Sequence, residues 1–511
     1  MKTQGQRLLA NTGAMYVKMI ITGVVGVLSS RYILHALGTA DFGVYAVVLG
    51  VTAFLGFIND AMVTGTQRYM AFSLGKEDIA AAKRVFNTCL IVHAAIAIAV
   101  ILVVETLGVW FLEHKLRIPS GRMCAASWTL QFALIMSVAN IISVPYQALM
   151  SAHEAFLWIS IFGVCQSVLT LGIALMLFIL QGDLLIWYSL LLTSVMVMSV
   201  IASVVYCRIN YAESSVDLKG CWDKVLAKEV VSFSSWNLFG ALAVVSRSQG
   251  LALLFNIFCG PVLNAAYGLA NQVSGVVGQF SYTMLRAVSP QVVKSEGAGD
   301  RRRVVDLAMR SSRLAFLLDT LWVIPLCAEM PMILHLWLTR VPPHTTAFCR
   351  LVLVMFALDK LTIGFISAVQ AVGKIALYQA VLGSILMLTL PIGYLLMRIG
   401  YAPETVLVGA IVMVVVVDFG RVLFARKLVG ASAMSWVREV IMPCSLCAAL
   451  GVATVLPSVL FLSSGLLRLS ITLVIGFAGT AVAIWFIGVR TDERAQFSKG
   501  LLDVTRRFRG H

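Results

Sequence analysis

The chain has 511 residues, of which 60% are hydrophobic and 12% charged, with a mean hydropathy of +0.92. Soluble domains carry about 25% charged residues, so this chain has too little polar surface for a water-soluble globule and is expected to sit in lipid. The net charge of +15 falls mostly between apolar runs, as a topology signal rather than a nucleic-acid footprint.

The N-terminal residues Met1 to Asn11 are polar and mildly basic, and the apolar run that follows has no small-residue cleavage site. An uncleaved first span is expected there, not a signal peptide. A spanning helix needs about 20 apolar residues, and such stretches occur at 12–34, 42–64, 85–110, 123–148, 158–180, 187–208, 231–258, 262–290, 311–334, 348–372, 378–398, 404–425, 439–461 and 467–488. Backbone amides in lipid need internal partners, so each is expected to be a helix. The predicted fold is an all-α polytopic membrane protein with about fourteen transmembrane helices.

Most Lys and Arg fall in alternate loops: 65–84 (with Arg68, Lys76, Lys83 and Arg84), 208–229, 293–313 (with Arg301, Arg302 and Arg303) and the tail. That bias predicts both termini in the cytoplasm of a bacterial inner membrane. The loops on the other side are short, the longest being 111–122 and 335–347, and leave no room for a catalytic domain. The tail places Phe497, Leu501, Val504 and Phe508 at helical spacing among Arg506, Arg507 and Arg509. It suits a helix lying on an anionic lipid surface or a solvated basic tail equally well.

Ten cysteines are scattered, several inside apolar runs (Cys165, Cys259, Cys327), which fits buried thiols and not a secreted disulfide framework. Cys444 and Cys447 form a C-x-x-C inside an apolar helix without a second ligand pair, so no metal or redox role is expected of them.

A shift of 222 residues aligns Gly38 with Gly260, Tyr45 with Tyr267, Gly56 with Gly278, Gly75 with Gly297 and Asp78 with Asp300. Each half then reads as helix, Gly-containing hairpin, helix and a basic G-x-x-D loop. The shift spans an even number of helices, so the copies share one orientation, and a parallel repeat is expected. The predicted organisation is an N-lobe at 1–208, a linker at 209–230, a C-lobe at 231–426, two further helices at 427–490 and a basic tail at 491–511.

The stretch Leu37-Gly38-Thr39-Ala40-Asp41-Phe42-Gly43-Val44-Tyr45 resembles the hairpin between the first two helices of polysaccharide flippases, and Gly260-Pro261-Val262-Leu263-Asn264-Ala265-Ala266-Tyr267 resembles its counterpart in their second half. Pro290-Gln291, Lys294-Ser295, Gly299-Asp300, Leu336-Trp337-Leu338 with Pro342, and Gly373-Lys374-Ile375 with Tyr378-Gln379 continue the likeness. The resemblance is to the O-antigen and capsule repeat-unit flippases of the multidrug/oligosaccharidyl-lipid/polysaccharide exporter superfamily. It implies two six-helix lobes around a central cavity, two extra C-terminal helices and alternating access. The implied cargo is an oligosaccharide on undecaprenyl diphosphate, moved for O-antigen or capsular polysaccharide synthesis, with H+ or Na+ as candidate coupling ions. The expected protein is monomeric and needs no cofactor.

Carrying a diphosphate and a glycan past about 30 Å of hydrocarbon requires a wet, cationic path. An ionisable residue deep in a span costs at least about 2.5–3.5 kcal/mol, which makes each one a functional candidate. Arg247, in the polar island Ser246-Arg247-Ser248-Gln249, is the foremost candidate cation, followed by Lys360 and, nearer to span ends, Arg31 and Lys18. Asp359 is a candidate counter-ion, pointing about 100° away from Lys360 on an unbroken helix. Asp418 and Arg421 are spaced to pair within one helix, and Asp60 is a candidate near the inner end of the second span. His93, Asp319 and Glu329 are weaker candidates for cation coupling. The polar residues Gln131, Asn140, Gln147, Asn256, Asn271, Gln272 and Gln279 serve sugar hydroxyls or helix–helix bonding equally well.

The rival reading is a multidrug exporter, which would want cavity carboxylates where this chain offers Arg247 and Lys360. A membrane enzyme is disfavoured, since no H-E-x-x-H, G-x-S-x-G or Gly-rich phosphate loop occurs.

Overall fold

The computed structural model describes residues 4–114, 118, 120–217, 222–338, 340–491 and 493–495, with the side chains of 4–10, 39–40, 46–47, 49–60 and 120 outside the description. The basic tail from residue 496 and the side chain of Asp60 therefore lie outside the described residues. A first helical run, Gln4–Gly75, is parted at Gly38 into α1 (4–37) and α2 (39–75). There follow α3 (Ile79–His114), α4 (Met123–Ala152), α5 (Phe156–Met176), α6 (Leu184–Asn210) and α7 (Lys224–Cys259). Next come α8 (Pro261–Gly297) and α9 (Arg301–Trp337). The series closes with α10 (Thr345–Val372), α11 (Ala376–Ile399), α12 (Pro403–Val429), α13 (Ala433–Phe461) and α14 (Leu466–Gly488). Among the described residues, 12 helices are long and apolar enough to cross a membrane. The two outside that set are α2, whose side chains are described only in part, and α8, which carries Asn264, Asn271, Gln272, Gln279, Arg286 and Gln291.

The repeat read from sequence reappears as matched backbone geometry. Gly38 (φ 72°, ψ 170°) and Gly260 (φ 83°, ψ −178°) take the same conformation, one open essentially to glycine alone. The turns that close each hairpin also correspond: Glu77 (φ 58°) matches Gly299 (φ 77°), both left-handed. Asp78 then caps α3 by accepting from Ala81 N at 2.8 Å, and Asp300 caps α9 by accepting from Arg303 N at 3.1 Å.

The outer straps match as well. In the first half Arg122 binds Asp183 (2.7 Å) and Asp41, joining the loops that enter α2, α4 and α6. The hydrogen bonds to Asp183 and then Asp41 raise the Arg122 pKa further above the arginine range. Its counterpart under the 222-residue shift is His344, which pairs with Glu404 in the first turn of α12.

Two arginines repair backbone that proline breaks. Pro331 has no N–H to offer the carbonyl of Cys327, four residues back, and Arg350 Nε donates to that oxygen at 2.7 Å. Pro443 likewise leaves the carbonyl of Glu439 without its helical donor, and Arg313 Nη1 supplies one at 3.2 Å. Both repairs lie on contacts of α9, which kinks at Glu329 (φ −101°, ψ 16°) between Pro325 and Pro331.

The helices fall into two compact units, one comprising Asn11–Leu238 and the other taking the chain from Phe239 onward. The division lies inside α7, and the segment before α7 is bonded to the first unit. Asn87 Oδ1 accepts from Asp217 N at 2.7 Å and its Nδ2 donates to Ser215 O at 3.0 Å, while Thr88 Oγ1 accepts from Asp223 N at 3.3 Å. On the same side, His153 stacks on Tyr211 at 4.1 Å and pairs with buried Glu213 at 3.3 Å.

Candidate functional site

The helix α10 breaks in mid-span. Its first part ends at Asp359, a 3-10 turn occupies Lys360–Thr362, and helix resumes at Ile363. Irregular backbone at membrane depth persists only where protein or a water-filled cavity satisfies it, and neighbours supply the bonds here. Arg421 Nη1 donates to Asp359 O at 3.4 Å, Trp436 Nε1 to Leu361 O at 2.9 Å, and Gly364 N to Ser312 Oγ at 2.9 Å. Gly364 is required for this approach, since a Cβ there would stand 2.0 Å from the carbonyl oxygen of Ala308 on α9.

Around the break lies a charged cluster within the second unit. Arg421 on α12 sits 2.8 Å from Asp359 Oδ1, 3.1 Å from Asp418 Oδ1 and 3.2 Å from Thr362 Oγ1. Thr362 in turn donates to Asp418. The intrahelical Asp418–Arg421 pair expected from spacing is present, but Arg421 also bridges to α10, which spacing alone did not show.

Lys360 is buried, with its Nζ 3.9 Å from Asp359 Oδ2 and 3.8 Å above the ring centre of Phe356. Sequence reasoning, which assumed an unbroken helix, set these two side chains about 100° apart; the long Lys360 chain brings them to ion-pair distance. Gly278 on α8 fixes the ring under Lys360, because a Cβ at that position would fall 2.3 Å from Phe356 Cζ.

Arg247 on α7 is half-buried and differs from the other two cations. Among the described residues it has no ion pair, although Asp359 and Tyr267 act on it through space. Three cations thus share this region: Arg421 is held by two carboxylates, Lys360 by one carboxylate and a ring, and Arg247 has no ion pair among the described residues.

The remaining candidates are elsewhere. Arg31 is exposed on α1, and Lys18 is half-buried on α1 against Gly163 of α5, where a Cβ would stand 2.4 Å from Lys18 Cε. Glu329 is fully buried in an ion pair with Arg468 (2.9 Å) and accepts from Thr472 at 3.1 Å, so it ties α9 to α14. Asp319 accepts from Ser281 at 3.2 Å, and His93 Nδ1 lies 2.6 Å from the carbonyl of Cys89. Cys444 and Cys447 are buried thiols set against the carbonyls of Arg313 and Ala483, at 3.9 and 3.4 Å. Gln147 bonds Ser143 at 2.8 Å and Asn271 bonds Tyr267 O at 3.1 Å, both within their own helices.

One residue escaped sequence reasoning. Glu105 lies in a π-turn of α3 (Val104–Gly108), exposed, with its Oε2 3.3 Å from Gln131 Nε2 of α4. It precedes Trp110 by five residues. The signal was a lone carboxylate in the apolar run Val103-Val104-Glu105-Thr106-Leu107.

No family model and no curated protein matches the chain. Solved structures match it in fold. A multidrug resistance MATE family transporter of the MOP superfamily, in an outward-facing conformation, superposes with a TM-score of 0.71 at 13% identity, over 84% of this chain and 99% of the other. MATE in a bent conformation gives a TM-score of 0.73 at 12% identity, over 84% and 98%. A MOP superfamily transporter from Pyrococcus furiosus, whose reverse polarity of binding pocket suggests a different function, gives 0.70 at 13% identity, over 84% and 99%. The chain therefore has the fold of the MATE transporters of the MOP superfamily.

Proposed function

We infer that the protein is a membrane transporter that flips undecaprenyl-diphosphate-linked oligosaccharide repeat units from the cytoplasmic to the periplasmic leaflet of a bacterial inner membrane, with both termini cytoplasmic. The fold supports transport, and the hairpin motifs support the polysaccharide branch of the superfamily. The observation that carries the cargo is Arg247: a mid-span guanidinium without an ion pair among the described residues, beside two cations already engaged. A guanidinium so placed suits a diphosphate, which it can bind in a two-pronged fashion. Lys360 is the second anion contact, freed when Asp359 turns to Arg421 alone. Arg31 and Lys18 line the path through the first unit, and Asp60, Asp359 and Asp418 with Arg421 are the groups through which H+ or Na+ coupling would act. The protein works as a monomer in the bilayer.

Export of organic cations is the second reading, favoured by Glu105, an exposed carboxylate within a span. A lipid-facing carboxylate is costly, so Glu105 is placed to face water.

The test is deletion of the gene in its native host, followed by complementation with wild type and with Arg247→Ala. The flippase reading expects loss of surface polysaccharide, accumulation of the lipid-linked unit on the inner leaflet, rescue by wild type and no rescue by well-expressed Arg247→Ala. Unchanged polysaccharide with raised sensitivity to cationic drugs would replace it with the second reading.

A further inference from the structure

The last two helices carry little of the family's motif, yet the structure ties them to the break in α10. At the start of α13, Ser432 caps a short helical turn (Ala433–Trp436), and a π-turn (Val437–Ile441) follows. This irregular segment aims two groups in different directions. The indole of Trp436, buried against the edge of Phe419 (ring centres 6.3 Å apart), donates to Leu361 O in the 3-10 turn of α10. The carbonyl of Glu439 accepts from Arg313 of α9, and its carboxylate pairs with Arg490 beyond α14.

The helix pair is fixed to α9 near both of its ends. On one side lie the Glu329–Arg468 pair and Thr472. On the other, buried Arg313 binds both oxygens of Glu493 at 2.6 and 2.8 Å, and Arg490 bridges to Asp306 at 3.1 Å. Charged groups this deeply engaged strongly resist separation. A strut anchored in this way has a fixed position from which the Trp436 indole can hold the turn.

We propose that α13 and α14 are a strut for the candidate site, and that Trp436 is a positioning residue that holds the 3-10 turn of α10 at Lys360–Thr362. The 3-10 turn sets the directions of Asp359, Lys360 and Thr362 at once, so the hydrogen bond to Leu361 O governs the cluster that Arg421 reads. Without the indole, Leu361 O loses this donor, and the turn that directs Asp359, Lys360 and Thr362 loosens. The functional part of this proposal rests on the cluster lying on the transport path; the structural part does not.

The experiment is hydrogen exchange on the full chain in lipid nanodiscs, comparing wild type with Trp436→Phe, which keeps an aromatic ring against Phe419 and loses the N–H. The expected result is exchange about fivefold to tenfold faster in peptides over 359–366, as loss of one hydrogen bond predicts, with α13, α14 and the melting temperature unchanged. Trp436→His, which restores a ring N–H, is expected to recover part of the protection. Unchanged exchange over 359–366, or equal acceleration along α13, would overturn the proposal by making Trp436 a packing residue alone. If Trp436→Phe does not accumulate, Phe419→Leu is the second variant, and it must loosen 359–366 ahead of α13. Complementation is scored alongside: Trp436→Phe at wild-type abundance is expected to lower surface polysaccharide at least threefold, and full rescue overturns the functional part. If wild type itself fails to restore polysaccharide, the cargo reading falls while the exchange result stands.

Discussion

The guanidinium of Arg421 on α12 lies 2.8 Å from the carboxylate of Asp359, at the residue where α10 stops being an α-helix. The contact joins a break in one span to an intact neighbour, and Asp418 at 3.1 Å makes the arginine the centre of a three-residue charge group. Lys360 pairs with the same Asp359, and Arg247 lies near it without an ion pair among the described residues. The cations therefore divide into Arg421 and Lys360, which are held in ion pairs, and Arg247, which has none among the described residues.

That division gives the first prediction. Arg421→Ala strands Asp359 and Asp418 in a buried setting, and breaking a buried pair in this way costs about 3–5 kcal/mol. The variant is expected to accumulate poorly and to melt well below wild type in detergent. Arg247→Ala removes a cation without an ion pair among the described residues and is expected to melt close to wild type while losing transport. Size-exclusion profiles with thermal melts, set beside complementation, separate the two; equal stability losses for both variants would contradict the assignment of roles.

A second prediction concerns how Lys360 is held. The tip of the Phe356 ring abuts Gly278, and the Lys360 ammonium lies 3.8 Å from the ring centre. Gly278→Ala pushes a methyl group into the ring, at an expected cost of about 1–3 kcal/mol for overpacking, and disturbs a cation–π contact worth about 2 kcal/mol when desolvated. Adding Phe356→Leu to Gly278→Ala relieves the clash and is expected to recover stability but not transport. The check is a double-mutant cycle on melting temperature, where additive losses would show that the ring and the glycine are not coupled.

Much of this architecture was legible in the chain. Long apolar runs can only be helices in lipid, so the helices fell close to their expected places, and the repeat was visible because Gly38 and Gly260 occupy a conformation that other residues avoid. Ionisable residues stand out in apolar sequence, which is why Arg247, Asp359, Lys360, Asp418 and Arg421 are candidates from sequence alone. Their partners were not legible. The Asp359–Arg421 bridge depends on a break in α10 that no proline or glycine marks in Asp359-Lys360-Leu361-Thr362. Side chains far away in sequence, Ser312 and Trp436 among them, satisfy the freed backbone there. Glu105 was missed for a related reason: its exposure arises from a π-turn that leaves no clear trace in Val104-Glu105-Thr106-Leu107-Gly108.

The proline kink of α9 supplies a third prediction. Arg350 donates to Cys327 O because Pro331 cannot. Arg350→Met leaves that carbonyl short of a donor and is expected to cost about 1–3 kcal/mol. Pro331→Ala restores an N–H four residues on, so in its presence Arg350→Met should cost clearly less. Melting temperatures of the two single variants and the double variant give the coupling, and its absence would mean that the arginine acts on something other than the freed carbonyl.

The last prediction turns on the repeat. Gly260 has φ 83° with ψ −178°, whereas Gly299 has φ 77° and is matched in the first half by Glu77 at φ 58°. The two glycines share the sign of φ but not its consequence. An L-residue at 260 enters a region essentially reserved for glycine, which costs about 1–3 kcal/mol. At 299 the first half already shows a non-glycine residue in the left-handed conformation, and asparagine adopts it with little strain. Gly260→Ala is therefore expected to lower the melting temperature and the yield of folded protein, and Gly299→Asn to leave both nearly unchanged. No Cβ clash is present at either glycine, so the contrast isolates backbone strain. If Gly260→Ala melts like wild type, the hairpin conformation shared by the two halves is not what the chain requires there.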